Sequence, residues 1–282
     1  VMTASTNDAA DWVAYCNAGE GHPMGSLRRA HGYPEAFAVR YWELDNEPYR
    51  KYGPIEYARR AAEFAREMKR IDPSIQIVMA GYELYRPALA QMLTEAGQFI
   101  DLVSDRGTDE TYLLDVLKTI GEYNAARNRA IRLCNTEWLA PVDNVPCSAN
   151  PVAATQPAVK TLQNRLIRWG YAMNVARQLL AFQRLGGDLV FTNFNNVANT
   201  WGQNVIECPK DRAFLSATGR VFELLAQSPT AWPLKIKDYK DTPDLAVQIG
   251  WDERRQALVI NVVNGQKNHV EVPFDLSALK PV

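Results

Sequence analysis

Val39-Arg40-Tyr41-Trp42-Glu43-Leu44, then the run Pro54 to Ile71, then Ile75-Gln76-Ile77-Val78-Met79-Ala80, reads as strand, helix, strand. Pro54 suits a first helical turn, where its missing N–H is not needed. Ala58, Ala61, Ala62, Ala65 and Met68 recur at the spacing of one helix face. Asp72-Pro73 ends the run, because the residue before a proline is pushed away from helical dihedrals.

The same alternation continues downstream. A helix is expected from about Pro87 to Ala96 with Gly97 as its stop, then a strand at Ile100-Asp101-Leu102-Val103-Ser104 and a helix from Asp109 to about Arg127. Ala130-Ile131-Arg132-Leu133-Cys134 reads as a strand, and a long helix is expected from about Val159 to Leu185. Gly186-Gly187 closes that helix, and Asp188-Leu189-Val190-Phe191-Thr192 is the next strand. Strands separated by helices imply right-handed βαβ units around a parallel sheet. An open doubly wound sheet and a (β/α)8 TIM barrel both fit. The open sheet usually carries a Gly-rich phosphate loop; Gly19-Glu20-Gly21 precedes no expected helix and lacks the third glycine, so the barrel is favoured.

Beyond residue 230 the period changes to two. Leu245 to Ile249, Ala257 to Val263 and His269 to Val272 read as short antiparallel strands with polar turns such as Asn264-Gly265. The expected organisation is a partial barrel over residues 1–229, followed by part of a C-terminal β-sandwich module over 230–282.

Bulk properties narrow the function. The 282 residues carry a formal net charge of −1, so the basic excess of a nucleic-acid or membrane-surface binder is missing. No apolar run approaches the ~20 residues of a membrane span. Four cysteines without CxxC spacing and three histidines without ligand spacing point to neither a disulfide scaffold nor a metal site. The chain opens Val1-Met2-Thr3-Ala4 with neither initiator methionine nor signal peptide. It therefore reads as a piece of a longer protein, with its compartment, cytoplasmic or secreted, left open.

Two strand ends carry chemistry. Barrel strands aim their last side chains into the active-site mouth. Trp42-Glu43-Leu44-Asp45-Asn46-Glu47-Pro48 closes one strand, and Cys134-Asn135-Thr136-Glu137-Trp138 another. Glu47 and Glu137 lie 90 residues apart, three βα units at the spacing of a barrel with ~250 residues over eight units. Both then face the mouth from strands three apart. Carboxyl groups ~5–5.5 Å apart suit a retaining glycosidase, one attacking the anomeric carbon while the other protonates the leaving oxygen. Asn46 is placed to bond a sugar hydroxyl. Trp138 and Trp201 are candidate stacking faces, whereas Trp42 is expected in the core.

At these residues the chain resembles glycoside hydrolase family 51, the α-L-arabinofuranosidases of clan A. Ala10 to Asn17 resembles the family's helix ending in Tyr-Cys-Asn, and Leu27 to Glu35 its Arg-x-x-Gly-x-Pro-Glu segment. Tyr41 to Glu47 resembles its Tyr-Trp-Glu-x-x-Asn-Glu strand, and Met68 to Ile75 is also typical. The resemblance implies Glu47 as acid/base, Glu137 as nucleophile and Asn46 as a substrate contact, with no cofactor and a carbohydrate as partner. It makes 39–46 strand four, 130–138 strand seven and 188–194 strand eight.

Three departures accompany it. Where the family has His-x-Tyr after strand six, Ser104-Asp105-Arg106-Gly107 stands here, with Tyr112 as the candidate substitute for the tyrosine. Asn195 to Gly202 matches loosely, with Asn196 where a substrate-binding glutamine often lies. If Val1 to Ala4 ends strand three, the chain holds about strands three to eight, and such a piece alone is expected to be inactive and to associate. The alternatives are another clan A activity, a β-xylosidase or an endoglucanase, or a non-catalytic carbohydrate-binding barrel.

Overall fold

Ser5 opens the first helix, α1 (Thr6–Asn17), with a capping box: its hydroxyl accepts the Asp8 N–H at 3.1 Å while the Asp8 carboxylate accepts the Ser5 N–H at 2.9 Å. The computed structural model describes residues 2, 4–141, 169–198, 204–208, 210–228, 230, 232–237, 239–242, 244–266 and 268–277. Contacts divide the chain into two units, Val1–Leu139 with Gly187–Phe194, and Ala140–Gly186 with Asn195–Val282.

In the first unit, α2 (Pro23–Ala30) follows α1. Gly19-Glu20-Gly21 thus does precede a helix, a correction to the sequence reading: eight residues with Pro23 at the first turn are too short for a periodic signal. The phosphate-loop pattern still lacks its third glycine, Met24 standing there. Five parallel strands then form one sheet in chain order: β1 (Tyr41–Glu43), β2 (Gln76–Ala80), β3 (Leu102–Ser104), β4 (Arg132–Trp138) and β5 (Leu189–Phe194). The crossovers are α3 (Pro54–Ile71), α4 (Leu89–Ala96, preceded by a 3-10 turn at Glu83–Ala88) and α5 (Glu110–Arg127). The long helix expected from Val159 is described from Trp169; its first ten residues lie outside the described range.

The sheet curls. Strands spaced ~4.8 Å apart would put β1 and β5 roughly 19 Å from each other in a flat sheet. Instead the Tyr41 and Phe191 rings meet at 5.1 Å between centroids, and Thr136 of β4 bonds Glu43 of β1 at 2.8 Å. Only inward-facing side chains across a closing barrel can do this.

Satisfied polar groups lock the strands to the outer layer. Tyr57, fully buried on α3, donates to the Leu44 carbonyl at 2.7 Å and accepts the Ala80 N–H at 3.0 Å, tying the ends of β1 and β2 together. Asn17, the last residue of the Tyr-Cys-Asn segment, bonds both the N–H and the carbonyl of Val39 and also Asp72. Buried Arg28 donates to the carbonyls of Tyr15, Ala18 and Tyr33. The densest sequence motifs are therefore joints of the scaffold.

In the second unit, α6 (Trp169–Arg184) packs on α7 (Ala217–Gln227) and on an antiparallel sheet. A two-stranded ribbon, β6 (Ile206–Glu207) with β7 (Phe214–Leu215), precedes α7. The sheet has the order β10-β9-β8, with β8 (Trp232–Leu234), β9 (Leu245–Asp252) and β10 (Ala257–Asn264). The strand expected at His269–Val272 does not form. The third strand is β8, whose Pro233 hid it from a propensity reading yet suits an edge position.

Candidate active site

The chain leaves β1 through Asp45, Asn46 and Glu47. Asp45 and Glu47 both take left-handed backbone conformations, with φ of 71° and 48°. Such positions are uncommon for non-glycine residues and cluster where a side chain must be aimed. The Glu47 N–H donates to the Tyr82 hydroxyl at 3.1 Å, which fixes the turn. Glu137 sits one residue before the end of β4, its N–H bonded to Asn135 at 3.2 Å.

One guanidinium joins the two strand ends. Arg106, in the loop after β3, places Nη1 3.3 Å from Glu47 Oε1 and Nη2 2.9 Å from Glu137 Oε2. Nη2 also donates to Asn46 Oδ1 at 2.9 Å, and the guanidinium lies over the Tyr82 ring, 4.3 Å from its centroid. Arg50 holds the other Glu47 oxygen at 2.8 Å. Asn46, Glu47 and Glu137 are thus brought together around one guanidinium. Arg106 is the group the sequence reading passed over. Its signal was its place, a basic residue directly after a barrel strand lying between the two acid-bearing strands.

Beside an apolar cluster of Val78, Leu102 and Cys134, the barrel interior carries a short polar chain. Glu43 accepts from the Thr136 hydroxyl at 2.8 Å, and Thr136 in turn bonds Ser104 at 2.8 Å. Burial raises the Glu43 pKa above the ordinary carboxylate range, while the Thr136 bond and Arg106 pull the other way. Asp105 is raised likewise, chiefly by burial, although it accepts from Gly107 N–H at 2.8 Å and Tyr112 hydroxyl at 3.0 Å.

The remaining residues singled out in sequence are placed as follows. Tyr112 is engaged by Asp105 and lies under the Arg86 guanidinium, 4.4 Å from its ring centroid. Trp138 is buried, its ring edge-on to Phe194 at 4.9 Å. Trp42 is buried, as expected. Asn196 is half-buried in the second unit, just past β5, and Trp201 lies outside the described residues. Among the described residues no cluster of three or more His, Cys, Asp or Glu is arranged to hold a metal, and no helix is long and apolar enough to cross a membrane.

Comparison with known proteins gives a consistent answer. Residues 1–112 match the family model described as alpha-L-arabinofuranosidase 1 domain. The chain is 39% identical to the intracellular exo-alpha-(1->5)-L-arabinofuranosidase 1 of Bacillus subtilis strain 168, over 97% of this chain and 62% of that protein. It is 36% identical to alpha-L-arabinofuranosidase C of Emericella nidulans, over 29% of this chain and 17% of that protein. In fold it is similar to alpha-L-arabinofuranosidase of Thermotoga maritima, with a TM-score of 0.73 at 23% identity, covering 94% of this chain and 59% of that one. The chain thus spans about 60% of the length of the Bacillus and Thermotoga proteins. The curled sheet is the incomplete (β/α)8 barrel of that fold, followed by antiparallel β structure.

Proposed function

The chain belongs with the family 51 α-L-arabinofuranosidases in sequence and in fold, and on that premise we propose that it carries the catalytic pair of a retaining enzyme of this activity. Glu137 is the nucleophile and Glu47 the acid/base. In the first step a Glu137 oxygen attacks the anomeric carbon of a terminal arabinofuranose while Glu47 protonates the departing glycosidic oxygen. In the second, Glu47 takes a proton from water, which attacks the anomeric carbon and releases Glu137. The substrates are plant-type arabinofuranose-bearing polysaccharides or their oligomers. Asn46 bonds a sugar hydroxyl, and Tyr112, bonded to Asp105 beside Arg106, belongs to the substrate surroundings. By chain order the barrel part is assigned to residues 1–229 and the C-terminal β module to 230–282, while by contact Ala140–Gly186 and Asn195–Val282 group together.

The observation that carries this reading is the bridging of Glu47 and Glu137 by one guanidinium, which puts both carboxylates on one small volume at the barrel mouth. Hydrolysis of an aryl α-L-arabinofuranoside by the protein carrying this sequence, set beside an aryl β-xyloside and a β-glucan, tests it. Cleavage of the arabinofuranoside that Glu137→Ala abolishes is the expected result. Preference for the xyloside or glucan overturns the substrate, and no cleavage of any of them overturns the activity.

A further inference from the structure

Resting on that reading, the geometry points to a role for Arg106: we propose that its guanidinium is a displaceable counter-ion occupying the place of the reaction centre, which substrate must push aside. Three oxygens converge on it, Asn46 Oδ1, Glu47 Oε1 and Glu137 Oε2, at 2.9, 3.3 and 2.9 Å. In a retaining reaction the glycosidic oxygen and the anomeric carbon must lie between the acid/base and the nucleophile. Guanidinium and sugar therefore compete for one interval.

Glu47 adds to the argument. Its second oxygen is taken by Arg50 at 2.8 Å, so both of its oxygens accept from a cation. A carboxyl group that is to hand a proton to a leaving oxygen needs one oxygen free to carry that proton. Arg50 sits three residues from Glu47 on an exposed turn, its side chain 67% exposed; Arg106 is 14% exposed and lies against the place the sugar must take. Arg106 is the one in the substrate's way. Its retreat has a surface to follow, since the planar group already lies on the Tyr82 ring. The same guanidinium keeps two facing carboxylates from repelling each other.

The test uses Arg106→Ala, with Arg106→Lys as a second variant should the first fail to fold. For an aryl arabinofuranoside, KM falls roughly three- to tenfold in Arg106→Ala, because substrate no longer displaces a charge-assisted bond. Low-millimolar guanidinium chloride then inhibits Arg106→Ala competitively, against sodium chloride at equal ionic strength, and leaves the parent protein unaffected. A readout without turnover is the melting temperature: guanidinium raises that of Arg106→Ala but not that of the parent or of Arg106→Ala/Glu137→Gln. Arg106→Lys, whose shorter, non-planar head cannot span the same oxygens, also binds substrate more tightly than the parent. A KM that rises in both variants, or guanidinium that acts no differently from sodium on Arg106→Ala, overturns the proposal. A parent protein inactive on every arabinofuranoside sinks the proposed function instead, and the melting series then decides where the guanidinium sits.

Discussion

Behind the sheet, Asn17, Tyr57 and Arg28 bond main-chain groups, whereas at the mouth Asn46, Glu47 and Glu137 bond the side chain of Arg106. The chemical types are similar, and the consequences differ. A main-chain partner cannot leave without disrupting a strand end, as for Tyr57, or the backbone around a helix end, as for Arg28, so the first set has one arrangement. A side-chain partner swings away at the cost of a rotamer change, so the second set can exchange its bonds for those of a ligand. The left-handed residues Asp45 and Glu47 stand at the mouth, held there by Tyr82 and by the Tyr57 bond to Leu44 just behind them. Rigid joints carry an aimed and exchangeable cluster.

Mutations at the two places should separate cleanly. The largest effect is expected at the mouth. Glu137→Ala lowers kcat/KM on an aryl arabinofuranoside by roughly 10⁴-fold or more with an unchanged melting curve, as for nucleophiles whose loss leaves only binding. Glu47→Ala lowers kcat by about 10²–10⁴-fold on substrates with poor leaving groups, and its pH–rate profile loses the basic limb. If that limb persists, Glu47 is not the acid.

Behind the sheet the order of effects reverses. Tyr57→Phe removes the donor to Leu44 and the acceptor for Ala80, leaving two buried main-chain groups unmatched. It should cost about 1–3 kcal/mol in urea denaturation, with KM changing little in the fraction still folded. A variant of unchanged stability but much weaker activity would break the division drawn here.

Glu43 tests the boundary between the regions and gives the smallest effect. Its carboxyl pKa is raised by burial, so its contribution to stability is full below the ordinary carboxylate range and is lost as pH rises through the raised value. Glu43→Gln keeps an acceptor for Thr136 without that liability. Its stability relative to the parent should match at low pH and gain as pH rises towards neutral, measured by denaturant midpoints across pH. A gap that stays constant with pH would mean that Glu43 ionises freely.

The sequence made the scaffold easy to read because its rules are local. Alanines at helical spacing from Ala58 to Met68 and apolar runs such as Ile77 to Ala80 report burial directly, and all of these positions are buried. The strand-end rule brought Glu47 and Glu137 to one place for the same reason. Non-local features stayed hidden. Arg106's place after β3 was legible from strand order, but that one guanidinium reaches both Glu47 and Glu137 depends on how far the sheet curls, and no short window contains that fact. The strand Trp232–Leu234 was masked by Pro233, and His269–Val272 alternates like a strand without pairing with one.

The central claim is that Glu137 forms the covalent bond to the sugar and Glu47 serves as its acid and base. The most direct measurement is mass-spectrometric peptide mapping after reaction with an activated arabinofuranoside fluorinated at C2, which slows release of a glycosyl–enzyme. The account predicts one added sugar residue on the peptide containing Glu137, absent in Glu137→Ala and slow to form in Glu47→Ala with poor leaving groups. A sugar carried on any other residue, or turnover with inversion and no adduct, would contradict it.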